Sequence, residues 1–283
     1  MSPVQTLSPY RYPGGKTWLI PYIRLWLRSR LTRPCEFIEP FAGGGSVGLM
    51  VANEKLADRV TLVEIDEAVA SVWRVVINGE DDVGLLTDKI STFVMTEQSV
   101  ELELSRSATS LNDFAFQTIL RNRISRGGIL AKGAGRLRKG ENGKGLTSRW
   151  YPETLCYRIR RIVELRDRIT FIHGDGIEII RKFLTRQNFA FLMDPPYTAG
   201  SNGAGSRLYT HAILDHDTLF TLAEQIRGDF LMTYDNDQMI HELASGHNLH
   251  LTEIAMKNTH HHQKTELMIG KDLSWLHGNQ NPE

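Results

Sequence analysis

Residues Phe189-Ala190-Phe191-Leu192-Met193-Asp194-Pro195-Pro196-Tyr197 read as a short buried strand that meets an acid, two prolines and an aromatic ring. No other stretch restricts the chain as much. Proline has a fixed φ and no N–H, and a residue before proline is pushed toward extended conformations, so the strand must end in a stiff turn. In open α/β sheets the carboxyl edge is where ligands bind. The turn holds a carboxylate, a backbone carbonyl and an aromatic face in fixed relation. Carboxylate and carbonyl together accept both hydrogens of an amino group, while the ring stacks on the flat molecule that carries it. The tetrapeptide therefore predicts a site for an exocyclic amine on a planar base. A Pro-rich turn with a capping Asp is the plainer alternative, and the rest of the chain decides between them.

Three further segments point to the same sheet edge. Glu36-Phe37-Ile38-Glu39-Pro40-Phe41-Ala42-Gly43-Gly44-Gly45-Ser46-Val47-Gly48-Leu49 passes from a strand through a Gly-rich turn into a helix, which lets backbone approach a ligand and leaves the helix amino terminus open. A second strand, Arg59 to Asp66, ends in acids about twenty residues on, the spacing at which a carboxylate grips ribose hydroxyls. Glu64 is the first choice for that role; Asp66 assists it or caps the helix expected from Glu67 to Val76. Ile169-Thr170-Phe171-Ile172-His173-Gly174-Asp175 reads as one more strand ending in an acid.

Tyr12-Pro13-Gly14-Gly15-Lys16-Thr17 precedes an apolar pattern of helical spacing from Trp18 to Leu27. Gly15-Lys16-Thr17 mimics the end of a phosphate loop, but Tyr10 stands where that pattern requires glycine and no strand comes before it, which excludes a nucleoside triphosphate site. A lysine beside two glycines at a helix start instead suits a ligand carboxylate. After Tyr197, residues 198–207 are rich in Gly, Ser and Asn and predict a loop beside the site. Phe230 to Tyr234 is another strand, and His250 to Met256 with Thr265 to Ile269 reads as a closing hairpin.

The chain has 283 residues and 33 basic against 33 acidic side chains, a balance that at first argues against a nucleic-acid partner. The charge is unevenly placed. Fourteen Lys and Arg fall between Arg121 and Arg168 against four acids, so one Arg- and Gly-rich segment carries the basic character expected of a phosphate-facing surface. Arg121, Arg123, Arg126, Lys132, Arg136, Arg138, Lys139 and Lys144 are its candidate DNA contacts, with Trp150 and Tyr151 available for apolar or stacking contacts. Cys35 and Cys156 are too few for a disulfide framework and lack metal-ligand spacing. His211, His216, Asp215 and Asp217 suit a helix start better than a metal, and His260-His261-His262 reads as polar filler, so no metal is expected. Met1-Ser2-Pro3-Val4-Gln5 shows no signal pattern and no apolar run is long enough to span a membrane, which predicts a cytoplasmic chain.

Four motifs in fixed order, Tyr12-Pro13-Gly14-Gly15-Lys16, Glu39-Pro40-Phe41-Ala42-Gly43-Gly44-Gly45, Asp194-Pro195-Pro196-Tyr197 and Thr265-Glu266-Leu267-Met268-Ile269, make the chain resemble a DNA adenine-N6 methyltransferase of the Dam-like class. The resemblance implies an α/β, Rossmann-like seven-stranded S-adenosylmethionine-dependent methyltransferase sheet whose last strand is antiparallel. It implies a catalytic domain formed by residues 1–77 and 169–283, and a mostly helical, loop-rich target-recognition insertion at 78–168.

The implied cofactor is S-adenosylmethionine. Tyr12 and Lys16 would contact its methionine part, Phe41 and Gly43 line its pocket, Glu64 hold its ribose, and Ile65 and Asp175 hold its adenine. Asp194, Pro195, Pro196 and Tyr197 form the catalytic set, and Asp194 also borders the donor. The implied partner is double-stranded DNA, with a separately acting cognate restriction endonuclease as an optional companion. The chain departs from the family pattern at Glu64, where Asp is usual, at Tyr12, where Trp is frequent, and at Gly176, where an aromatic often stands. Cytosine-N4 or RNA adenine methylation, an inactive DNA-binding relative and a nicotinamide-dependent oxidoreductase are the competing expectations. The last draws on Gly43, Gly45 and Gly48, whose spacing also fits a dinucleotide fingerprint.

Overall fold

The computed structural model describes residues 6–11, 16–131, 134–137, 145–196, 214–257 and 263–276. Seven strands form one sheet: β1 Glu36–Glu39, β2 Arg59–Glu64, β3 Ile169–His173, β4 Phe189–Met193, β5 Asp229–Asp235, β6 His250–Lys257 and β7 Gln263–Gly270. Their spatial order is β3-β2-β1-β4-β5-β7-β6. The first five are parallel neighbours, β7 runs antiparallel to β5, and β6 pairs antiparallel with β7. This is the seven-stranded, Rossmann-like methyltransferase arrangement implied by the ordered motifs, with the last strand reversed as expected.

Strand order reverses between β1 and β4. From β1 the chain moves outward to β2 and β3; from β4 it moves the other way to β5. Their carboxyl ends therefore face a shared crevice, the place where doubly wound sheets bind ligands. Glu36 lies opposite Phe189 and Ile38 opposite Phe191, so the turns after Glu39 and after Met193 emerge side by side.

Period-2 alternation sorts the strand residues onto two faces. Phe37, Val60, Leu62, Ala190, Leu192, Leu231 and Met268 join one buried cluster. Ile38, Val63, Phe191, Met193, Phe230, Met232, Leu267 and Ile269 join the other. Both faces are covered by helices, which is why the parallel strands read as continuous apolar runs. α1 Ile20–Ser29, α2 Ser46–Glu54 and α3 Glu67–Trp73 lie on the first face. The segment between β2 and β3 adds α4 Val83–Thr92, α5 Glu97–Ser105, α6 Leu111–Ile124 and α7 Pro152–Val163 to the same core. On the second face are α8 Gly176–Phe183, α9 His216–Gln225 and α10 Gln238–Gly246.

Asp66 caps α3, accepting from Ala68 N at 2.8 Å and Val69 N at 3.1 Å, and one turn of π-helix, Arg74–Asn78, prolongs that helix. Arg166 donates to the carbonyls of Val75 and Val76 at 2.8 and 2.7 Å. The chain just before β3 is thus fastened to the end of the helix that follows β2. Arg121 to Ile124, expected in a loop, are the last turn of α6. That helix carries buried Asn112, Asp113, Gln117, Thr118, Asn122 and Arg123, so apolar periodicity could not reveal it. Asp215 caps α9 through Thr218 N, which fulfils the helix-start reading of that acid. Among the described residues no helix is long and apolar enough to cross a membrane.

Candidate active site

The Gly-rich turn owes its shape to two left-handed residues, Gly43 at φ 48° and Gly45 at φ 59°. Side chains rarely adopt that region, and a Cβ on Gly45 would also press on Leu62 and Trp73 at 3.1 and 3.4 Å. Gly48 serves packing instead: a Cβ there would lie 2.5 Å from Leu62 Cδ2 and 2.6 Å from Glu39 Oε2. Gly45 has no side chain to cap α2, and Glu39 from the end of β1 replaces it, accepting from Gly48 N at 2.9 Å. Burial pushes the Glu39 carboxyl up to about 8, against the pull of that amide. Trp73 Nε1 donates to Gly43 O at 3.0 Å and fastens the turn to α3.

Glu64 ends β2 beside this turn. Its two oxygens accept from Gly43 N at 2.9 Å and Asp66 N at 2.8 Å. It is 8% exposed, and burial pushes its carboxyl up to about 7. A carboxylate acceptor at a strand end is the kind of group a ribose diol needs; Gly43 beside it is buried, with its N–H held by Glu64 and its carbonyl by Trp73. Ile65 follows it and is 43% exposed, a large apolar side chain at the crevice.

Asp175 is exposed and caps α8 through Ile177 N at 2.8 Å. Gly176 after it packs against the Gly-rich turn. A Cβ there would land on the Pro40 carbonyl oxygen and lie 3.0 Å from Phe41 Cε1. The aromatic that the family often carries at this position has no room in this chain.

Asp194 leaves β4 at the crevice, with Pro195 buried behind it. Thr233 of β5 donates its hydroxyl to Asp194 Oδ1 at 2.8 Å. Lys16 Nζ lies 3.3 Å from the same oxygen and donates to Glu266 Oε2 at 2.8 Å. Burial alone draws the Lys16 ammonium down, but Asp194 and Glu266 outweigh it and hold the ammonium above its ordinary value. Lys16, expected beside a ligand carboxylate, is thus engaged with two carboxylates of the protein itself. Thr233, Glu266 and Glu39 carry no role in the sequence reading, although Glu39 and Glu266 stand inside two of the ordered motifs. Tyr12 and Tyr197 lie outside the described residues.

In the basic segment, Arg126 N donates to Gly135 O at 2.9 Å and Leu137 N to Ile124 O at 2.8 Å, closing a loop in which Ser125 bridges Arg136. Arg126 and Arg136 are exposed on it and Arg121 is half-buried. Arg123 corrects the expectation of a surface contact. It is 5% exposed, its guanidinium donates to Pro9 O, and its Nε is buried without a hydrogen-bond partner. Burial, followed by Arg158, Arg11 and Arg149, pushes it down to about 9. Asn122 beside it accepts from Arg11 N at 2.9 Å and donates to the carbonyls of Arg11 and Gly128 at 2.7 Å each. The amino-terminal arm is thereby tied to the basic loop. Trp150 is likewise turned into the core, edge-on to Phe93 and Phe116, whereas Tyr151 is 52% exposed. Lys132, Arg138, Lys139, Lys144 and the run His260 to His262 lie outside the described residues.

The chain is similar in structure to a putative RNA methyltransferase, PH1948, from Pyrococcus horikoshii, at 12% identity, TM-score 0.40, covering 92% of this chain and 84% of that one. It is also similar to the methyltransferase domain of bacterial CtHen1, at 8% identity, TM-score 0.41, covering 90% and 98%. A third is the rRNA methyltransferase aviRa from Streptomyces viridochromogenes, at 9% identity, TM-score 0.37, covering 92% and 85%. Scores and identities this low carry neither substrate nor reaction over to this chain. No curated protein matches it. Residues 12–124, which hold the amino-terminal motif, the Gly-rich turn and Glu64, match a family model; Asp194 and Glu266 lie beyond the matched span. Tyr12 to Ile124 are thereby identified with the D12 class N6 adenine-specific DNA methyltransferase family, in agreement with the Dam-like resemblance of the ordered motifs.

Proposed function

We propose that the protein transfers a methyl group from S-adenosylmethionine to the N6 amino group of a flipped-out adenine in duplex DNA. The observation that carries this reading is the crevice between β1 and β4, where Asp194 and Pro195 stand beside the glycine turn and the Glu64 carboxylate. When bound there, S-adenosylmethionine supplies an electrophilic methyl group on a sulfonium. Glu64 would hold its ribose hydroxyls, and Gly43 and Phe41 would line its pocket.

Adenine N6 is a poor nucleophile because its lone pair is delocalised into the ring. The Asp194 carboxylate and the Pro195 carbonyl each accept one N6 hydrogen, which draws the nitrogen toward tetrahedral geometry and frees the lone pair. Positive charge would grow on nitrogen as the nitrogen–methyl bond forms and the sulfur–methyl bond breaks, its electron pair returning to sulfur so that the donor leaves as a neutral thioether; a fixed carboxylate stabilises the charge on nitrogen. The surplus proton leaves through Asp194 or water. Flipping the base costs a few kcal/mol, comparable to the roughly 1–3 kcal/mol of stacking that Tyr197 would return. Arg126 and Arg136 supply phosphate contacts that carry no sequence information.

The test is to incubate the protein with labelled S-adenosylmethionine and mixed-sequence duplex DNA, then to digest the product and identify the modified base. N6-methyladenine supports the reading. Label in N4-methylcytosine, label only in added RNA, or no transfer at all refutes it. Asp194→Ala is expected to abolish transfer while donor binding persists, and full activity in that variant would refute the mechanism.

A further inference from the structure

Glu266 is a carboxylate on the central part of β7, yet it is 2% exposed. Burying a carboxylate is costly, and an apolar side chain of the same size would fill the place more cheaply. It accepts from the Lys16 ammonium at 2.8 Å, itself 5% exposed, and that ammonium reaches on to Asp194 Oδ1 at 3.3 Å. Thr233, fully buried, holds the same Asp194 oxygen from the other element at 2.8 Å. Glu266 and Thr233 hang from one rigid strand pair, in which Asp235 lies opposite Glu266 and Thr233 opposite Met268. Lysine has four rotatable methylenes, and one carboxylate alone does not fix where its charge sits. Bracketed by two, the ammonium becomes a fixed point against which the Asp194 carboxylate is set.

We propose that Glu266 is a positioning residue for methyl transfer: through Lys16 it holds the Asp194 carboxylate in the orientation that lets Asp194 and Pro195 accept the two hydrogens of the amine. This rests on the reaction proposed above. The contact of Glu266 that leads toward Asp194 runs through the Lys16 ammonium. Its removal therefore slows the chemical step rather than donor or DNA binding.

The experiment measures single-turnover methylation, the donor KM and DNA affinity for the wild type, Glu266→Gln, Lys16→Met and the double variant. Glu266→Gln is expected to lower the single-turnover rate by about tenfold to 10²-fold, the scale of a small misplacement of a reacting group. Donor KM and DNA affinity stay within about threefold, because ground-state binding is untouched. In the Lys16→Met background, Glu266→Gln has no further effect, since the lysine that transmits its influence is gone. A wild-type rate in Glu266→Gln overturns the proposal, as does an equal loss in both backgrounds or a loss confined to KM. Should Glu266→Gln not fold, Glu266→Asp keeps the charge but withdraws it by one methylene, and the same comparison applies. A wild type that methylates no adenine fails the proposed reaction itself, whereas an active wild type with an unimpaired Glu266→Gln fails the positioning role alone.

Discussion

The proposed ribose contact of Glu64 would make donor binding depend on pH in a direction set by the burial of its carboxyl. Its carboxyl is pushed up to about 7 by burial, against the ordinary 4.5, so the folded protein carries the neutral acid over much of that interval. Ribose hydroxyls are donors and bind the carboxylate form. Acidification therefore opposes donor binding, and binding releases a proton below about pH 7. With a pKa of about 7, roughly one molecule in eleven is ionised at about pH 6 and nearly all at about pH 8, so affinity should fall about tenfold between them, or about 1.4 kcal/mol. Titration calorimetry with S-adenosylmethionine in buffers of different ionisation enthalpy measures both the slope and the proton. Glu64→Gln removes the charged acceptor, which should weaken binding by about 1.5–3 kcal/mol and flatten its pH dependence. A wild-type affinity that is constant over this range would refute the reasoning. So would a slope that survives in Glu64→Gln, which would assign the titration to Glu39 instead.

Glu39 predicts a pH dependence of stability. Its folded pKa of about 8 lies above the ordinary 4.5, so the folded state keeps a proton that the unfolded chain loses as pH rises between these values; stability should fall across that window by up to about 1.4 kcal/mol per pH unit. Glu39→Gln should remove its part of the slope in denaturant unfolding while keeping an acceptor for Gly48 N; Glu64, whose carboxyl is also pushed up, keeps its own share below about pH 7. Gly176→Ala should destabilise by about 1–3 kcal/mol, because the added methyl meets the backbone carbonyl of Pro40; an unchanged melting temperature would contradict the packing. Arg126→Ala with Arg136→Ala should weaken DNA binding and lower the slope of log affinity against log salt by about 2, and an unchanged slope would remove both from the interface.

Much of the fold is legible in local patterns. The strands β1, β2 and β4 are short apolar runs bounded by glycine, proline and acids, and a buried parallel strand needs little more than that. The glycine turn and the Asp194 turn are legible for a related reason: their backbone geometry is dictated by the residue type at each position. Glu64 could be placed by its distance along the chain from the glycines, because a strand, a turn and a helix span nearly fixed lengths.

The opposite holds wherever a residue's role depends on what the fold brings to it. Nothing local distinguishes Arg123 from Arg126, yet one turns inward to Pro9 O and the other stands exposed. Trp150 looked like a stacking surface and is a core residue, because Phe93 and Phe116 arrive from distant elements. α6 carries polar residues on buried faces, and only its neighbours on all sides explain them. Lys16 and Glu266 are 250 residues apart and meet because β7 inserts between β5 and β6. The sequence by itself determined the strands, the turns and the acids at their ends, since these follow from the torsions and polarity of a few adjacent residues. Only the tertiary structure decided which charges face one another, because electrostatic pairing depends on distance and burial, and neither is a property of the chain taken locally.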